Sequence, residues 1–156
     1  MLLEKLKKDL IEYLKTGEKI KISVTRLLLA AIKDKEISQR KDQVNEEGIK
    51  DNQILDIINK MIKQREISAK TYMEGKRKDL ADKEMIEAEI LSSYLPKQLT
   101  DDELKKIINS TIKNIKAHSI RDMGNVMKVI KENYSGKCDF QKVSKFVKDK
   151  LATIDK

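Results

Sequence analysis

Leu3, Leu6, Leu10 and Leu14 recur at spacings of three and four, so the chain opens on an amphipathic helix that Gly17 ends. Ile20, Val24, Leu27, Leu28 and Ala31 begin a second helix. Its polar tail, Lys33 through Lys41, runs into Asn45-Glu46-Glu47-Gly48, a loop by composition. A third helix is predicted to start near Asp51, to carry Ile54, Ile57, Ile58, Met61 and Ile62 on one side, and to reach Tyr72 and Met73 before Gly75 as the longest of all. Gly75-Lys76-Arg77-Lys78-Asp79 is the next break, and Asp79 is the expected N-cap of a fourth helix from Leu80 to about Leu95. Around that helix Met85, Ile86, Ala88, Ile90, Leu91, Tyr94 and Leu95 spread over most of the circumference. A helix this apolar is usually covered on more than one side. The pattern predicts packing on the N-terminal helices and contact with the C-terminal domain.

Pro96 is the sole proline. It cannot continue a helix and biases its predecessor toward extended geometry, so the fourth helix should stop near Leu95. Thr100 and Glu103 have the spacing of a capping box, in which a hydroxyl and a carboxylate each satisfy a free N–H of a new first turn. Beyond it, Leu104, Ile107, Ile108, Thr111 and Ile115 mark a fifth helix ending before His118, which reads as a helix-end cap. Met123, Val126, Met127, Ile130 and Tyr134 mark a sixth, closed by Ser135-Gly136. Phe140, Val143, Val147, Leu151 and Ile154 mark a seventh, with Asp139 as N-cap. The fold class is therefore all-α. An N-terminal helical domain of about four helices, residues 1–95, is followed by a C-terminal three-helix bundle, residues 96–156, with a hinge between Leu95 and Thr100. Gly124 interrupts the sixth helical pattern at a cost of roughly 1 kcal/mol relative to alanine, which predicts a close neighbour at its backbone, a packed helix before a ligand. Gly136 reads as a left-handed helix stop.

Composition narrows the function. The 156 residues include no tryptophan, five glycines and one proline, too few turn formers for an all-β chain. No apolar run approaches the roughly 20 residues that span a bilayer, and the N-terminus lacks a cleavable apolar leader, so a cytoplasmic protein without membrane contact is expected. Cys138 stands alone, in keeping with a reducing compartment. One histidine and one cysteine do not furnish a structural zinc site, and no metal or cofactor is expected. The net charge is +8. Residues 101–156 carry 13 Lys/Arg against 8 Asp/Glu, a net +5, and residues 1–100 carry 21 against 18, a net +3. The excess in the shorter half leans toward a polyanionic partner, with a merely solvated lysine surface as the alternative.

Several short pieces, in order along nearly the whole chain, resemble the YqeY family, small proteins related to the C-terminal tail of the amidotransferase subunit GatB. They are Arg26-Leu27-Leu28 with Ala31, Lys63-Gln64-Arg65, Tyr94-Leu95-Pro96 leading into Gln98-Leu99-Thr100, Met123-Gly124-Asn125-Val126-Met127, and Gly136-Lys137-Cys138-Asp139. Cys138 and Phe140 stand where the family commonly has alanine and a final glycine, so the turn before the last helix is expected to differ in shape. The resemblance implies a domain type that touches the outer body of tRNA. Lys142, Lys145 and Lys148 recur every third residue on the side of the last helix away from Val143, Val147 and Leu151. With Lys128, Lys131 and Lys137 they could form one cationic face that binds phosphates by charge, without reading bases. Arg26, Lys63 and Arg65 could hold a carboxylate or phosphate, and salt bridges to glutamates such as Glu87 and Glu89 are the plainer account.

Nothing in the sequence forms a catalytic constellation. His118 has no partner fixed near it, Cys138 has no histidine in its local motif, and the phosphate-binding glycine loop of nucleotide hydrolases is absent. The resemblance would lend the label of carbon-nitrogen ligase with glutamine as amido donor, but the chain contains neither a glutaminase nor a kinase-like region. The expected function is a non-catalytic module that binds tRNA or a tRNA-modifying amidotransferase complex, acting as a monomer. A protein-interaction adaptor is the alternative.

Overall fold

The computed structural model describes residues 1–42 and 48–154. The loop expected at Asn45-Glu46-Glu47 lies outside them. The protein is all-α. In chain order the helices are α1 (Leu2–Thr16), α2 (Lys19–Asp42), α3 (Asp51–Glu74), α4 (Lys78–Ser92), α5 (Asp101–Ile115), α6 (Met123–Tyr134) and α7 (Phe140–Ile154), with a short 3-10 turn at Ile120–Asp122. No helix among the described residues is long and apolar enough to cross a membrane. The chain separates into two compact units, Met1–Leu95 and Pro96–Lys156.

In the first unit, Gly17 ends α1 in the left-handed region, φ 75°, where the absence of a Cβ removes the steric penalty. Leu6, Val24, Leu28, Ile32, Ile49, Ile54, Ile58, Met61 and Leu91 form its core. Each fully buried leucine or isoleucine contributes about 1.5–3 kcal/mol relative to an exposed one. At 24 residues, α2 matches α3, so the third helix is not the longest. The polar run after Ile32 stays helical because its lysines, serine and glutamine cost little in a solvated helix.

The α4 helix departs from expectation at both ends. It begins at Lys78 with Arg77 at the cap position, so Asp79 lies inside the first turn, where its carboxylate takes the Arg77 guanidinium at 3.2 Å. It stops at Ser92, three residues before Pro96 requires. The hydroxyls of Ser92 and Ser93 bond back to the carbonyls of Ala88 and Ile90 at 2.8 and 2.6 Å, competing with continuation of the ladder. Its buried residues are Ala81, Ala88 and Leu91, while Met85 and Ile86 remain exposed.

In the second unit, Leu104, Ile108, Ile112, Val126, Ile130, Val143, Val147 and Leu151 from α5, α6 and α7 make one core. The capping box at α5 is formed: Glu103 N–H donates to Thr100 Oγ1 at 3.2 Å, and Thr100 N–H to Glu103 Oε2 at 3.1 Å. Such a cap stabilises a helix by about 1 kcal/mol. The buried stripe of α5 runs through Ile112, and Ile115 is left partly exposed. The α5 C-cap is Lys116 in the left-handed region, not His118, whose backbone N–H instead reaches Asp122 at 2.8 Å. That bond and the Ser119 N–H hold the Asp122 carboxyl below its ordinary value.

Candidate nucleic-acid interface

The residues that carry the sequence motifs act as ties between helix ends. Tyr94, just past α4, donates its hydroxyl to Asp9 Oδ2 on α1 at 2.7 Å and meets the Tyr13 hydroxyl at 3.2 Å. The Lys5 ammonium stands 5.6 Å over its ring. Burial, then the bonds to Tyr13 and Asp9, push the Tyr94 phenol well above the usual tyrosine value. In the second unit Gln98 Nε2 donates to Pro96 O at 2.9 Å and to Gly136 O at 2.7 Å, and Leu99 N–H donates to Lys137 O at 2.8 Å. The connecting stretch is thereby paired with the turn between α6 and α7. Gly136 holds that turn at φ 78°, the left-handed stop read from the sequence. Asp139 caps α7 by accepting Gln141 N–H at 3.0 Å. The role of Gln98 was missed by sequence reasoning, and its only signal was its place inside the Tyr94-Leu95-Pro96-Lys97-Gln98-Leu99 run.

Three contacts settle which edge of α7 faces which neighbour. Lys105 of α5 stands 5.3 Å over the Phe146 ring, and Asp101 of α5 pairs with Lys142, so the edge bearing Lys142 and Phe146 looks toward α5. Lys131 of α6 stands 5.8 Å over the Phe140 ring, so the opposite edge looks toward α6. Phe140, Ser144 and Lys148 fall at i, i+4 and i+8 and climb that second edge; Lys145 lies between the two. On α6, Lys128 sits one turn before Lys131 on the same side. The expected single face of six lysines is therefore divided. Lys131 and Lys148 lie toward the α6–α7 side, Lys128 one turn before Lys131, Lys145 on the outer face of α7 midway between Lys142 and Lys148, Lys137 in the adjoining turn, and Lys142 pairs with Asp101. All six are exposed.

Other expectations resolve unevenly. Arg65 Nε lies 3.2 Å from Glu87 Oε2 with both side chains largely buried, the salt bridge favoured over a ligand role. The Nε–H is not aimed along that line, so the contact is ionic without being a hydrogen bond. Arg26 and Gln64 are exposed, and Lys63 is half-buried on α3. Met123 and Met127 pack half-buried on the second core. Gly124 corrects its expectation: a Cβ built there meets nothing within 4 Å. It is the second residue of α6, in the first turn, where no neighbouring helix crosses. Cys138 is buried with its thiol 3.7 Å from Tyr134 O. Burial, then the Asp139 charge, pushes that thiol up to about 11, which suits filling and not nucleophilic attack. The described residues contain no group of three His, Cys, Asp or Glu side chains able to hold a metal ion.

Comparison with known proteins agrees with the motifs. The model of the family described as "Yqey-like protein" matches residues 3–151. The chain is also similar to proteins named "Altered inheritance of mitochondria protein 41, mitochondrial" from three yeasts. The Candida glabrata protein is 34% identical over 90 residues, covering 58% of this chain and 47% of that one. The Vanderwaltozyma polyspora protein is 31% identical over 110 residues, 67% and 57% respectively. The Clavispora lusitaniae protein is 29% identical over 135 residues, 85% and 75%. The chain thus spans about half the length of the first two of these relatives. Their names correct the expectation of a cytoplasmic protein, since all three are called mitochondrial. A lone cysteine and short apolar runs are features that the interior of an organelle shares with the cytosol, so they could not separate the two. From the match over nearly its whole length, the chain belongs to the YqeY-like family.

Proposed function

We propose that the second unit binds tRNA through the exposed lysines of α6, α7 and the turn between them, and that the chain is a binding module serving tRNA or an amidotransferase complex that handles it. The observation that carries this is the exposure of Lys128, Lys131, Lys137, Lys145 and Lys148 on α6, α7 and the turn between them, in a unit with excess positive charge. The resemblance to the GatB tail supports the choice of tRNA among polyanions. Lysines spaced along two helices supply charge to phosphates without fixing a base, so affinity should fall steeply with salt. A filter-binding titration against total tRNA tests the reading. Neutralising Lys145 and Lys148 together should weaken binding at low salt, and neutralising Lys142 should matter less because Asp101 already compensates it. Absence of binding at low salt, or binding indifferent to Lys145 and Lys148, removes the reading.

A protein-interaction adaptor is favoured by one observation on the first unit. Between Met61 and Ala88 the α3–α4 hairpin buries only Ala69 and Ala81, while Ile67 and Met73 stay more than half exposed. Recovery of one stoichiometric partner after nuclease treatment, lost on Ile67→Ser/Met73→Ser, would support it.

A further inference from the structure

We infer, resting on the RNA reading above, that the ligand of the α6–α7 side is the phosphate backbone of stacked, double-helical RNA and not an unstacked single strand. Recognition of single strands depends on aromatic faces on which bases stack. Beyond Pro96 the chain has three such residues besides His118, namely Tyr134, Phe140 and Phe146, and all three pack against the core of the second unit. The faces of Phe140 and Phe146 are further occupied by the ammonium groups of Lys131 and Lys105 at 5.8 and 5.3 Å. A base could stack on Phe140 only by displacing Lys131, which the phosphate contact itself requires, and on Phe146, which faces α5, only by displacing Lys105. His118 belongs to the connection between α5 and α6, at the other end of α6 from the turn that bears Lys137.

Base-edge reading is equally poorly served. The arginine of this unit, Arg121, lies on the 3-10 turn and not on the lysine side. Asn133 spends its amide on Val129 O at 2.9 Å. What the α6–α7 side offers is a set of flexible point charges on two packed helices joined by a short turn, and that matches an array of phosphates held at fixed spacing by a duplex.

The test measures binding of the full chain to a short blunt-ended RNA duplex and to an oligouridylate of the same strand length, across a range of salt, with total tRNA alongside. The duplex is expected to bind about tenfold or more tighter than the oligouridylate at equal salt. Lys128→Gln/Lys148→Gln, with helicity unchanged, is expected to flatten the duplex salt slope by about 0.9 per lysine removed. Equal or tighter binding of the oligouridylate overturns the inference while leaving the RNA reading intact. An unchanged duplex slope in the double variant overturns the assignment to the α6–α7 side. Failure of every RNA, tRNA included, to bind at low salt overturns the RNA reading and the inference with it.

Discussion

Removing one oxygen from Tyr94 tests whether the end of α4 is tied to α1 by a hydrogen bond or only by packing. Tyr94→Phe keeps the ring but loses the 2.7 Å bond to Asp9 and the 3.2 Å contact with Tyr13. A hydrogen bond to a charged group contributes about 1.5–3 kcal/mol net, and because Asp9 is half-buried, water recovers part of it, leaving about 1–2 kcal/mol. With a urea slope near 1–2 kcal/mol/M, the unfolding midpoint of the first unit should drop by roughly 1 M at pH 7 to 9. The pH dependence sharpens the test. In the folded chain the Tyr94 phenol titrates above its unfolded value of 10, so above pH 10 the unfolded state binds fewer protons than the folded one and stability falls as pH rises. The wild-type protein loses about 1.4 kcal/mol per pH unit there from this group, and Tyr94→Phe loses none of it. The gap between the two proteins, followed by circular dichroism in urea, should therefore be full near pH 9 and close by about pH 11. A variant as stable as wild type at pH 7, or a gap that stays constant from pH 9 to 11, refutes the assignment.

In the second unit, Gln98→Ala strands the carbonyl of buried Gly136 and should lower stability by about 1–2 kcal/mol, seen as a lower thermal midpoint and faster hydrogen exchange at the Leu99 amide. The two glycines should behave oppositely. Gly136→Ala, forced into a left-handed backbone, is expected to cost about 1–2 kcal/mol, whereas Gly124→Ala, with open space around its new Cβ, should leave the thermal midpoint unchanged or raise it by up to about 1 kcal/mol of stability. Cys138 should react with a thiol reagent at pH 8 about two orders of magnitude more slowly in the native protein than in urea, because burial keeps its thiol protonated.

Most of what the sequence disclosed was set by neighbours within about one helical turn. The stripes of α1, α5, α6 and α7, the stops at Gly17 and Gly136, and the Thr100–Glu103 box depend on residues close in sequence and appear, except that Leu14, Ile115 and Ile154 at the ends of their stripes are exposed and Ile112 takes the place of Ile115 in the core. The failures turn on which partner a side chain takes, near or far. The apolar girth of α4 did not reveal that burial would fall on Ala81, Ala88 and Leu91 and leave Met85 and Ile86 exposed, since residue type does not say which side of a helix its neighbours cover. Asp79 resembled a cap, yet Arg77 captured it, because the short polar side chain that favours a cap also favours a salt bridge one turn in. Lysines at every third position resembled one face, but an aspartate on another helix removed Lys142 from it.

The same division separates what identifies the chain from what it does. Tyr94, Gln98, Gly136 and Asp139 carry the resemblance, and each spends its polar groups or its backbone freedom on holding a helix end in place. Such groups are already satisfied within the chain and have little left to offer a ligand. The lysines have the converse character. Lys128, Lys145 and Lys148 are exposed on α6 and α7, contribute no buried area to the core, and can be exchanged for glutamine at little cost to folding. A chain could therefore keep the whole family signature and lose this surface, or gain it, without a change of fold. Under the proposed function, the charge at these positions, together with the aspartate at position 101 that pairs with Lys142, sets the affinity for a polyanion, and the motif holds the helices that carry it.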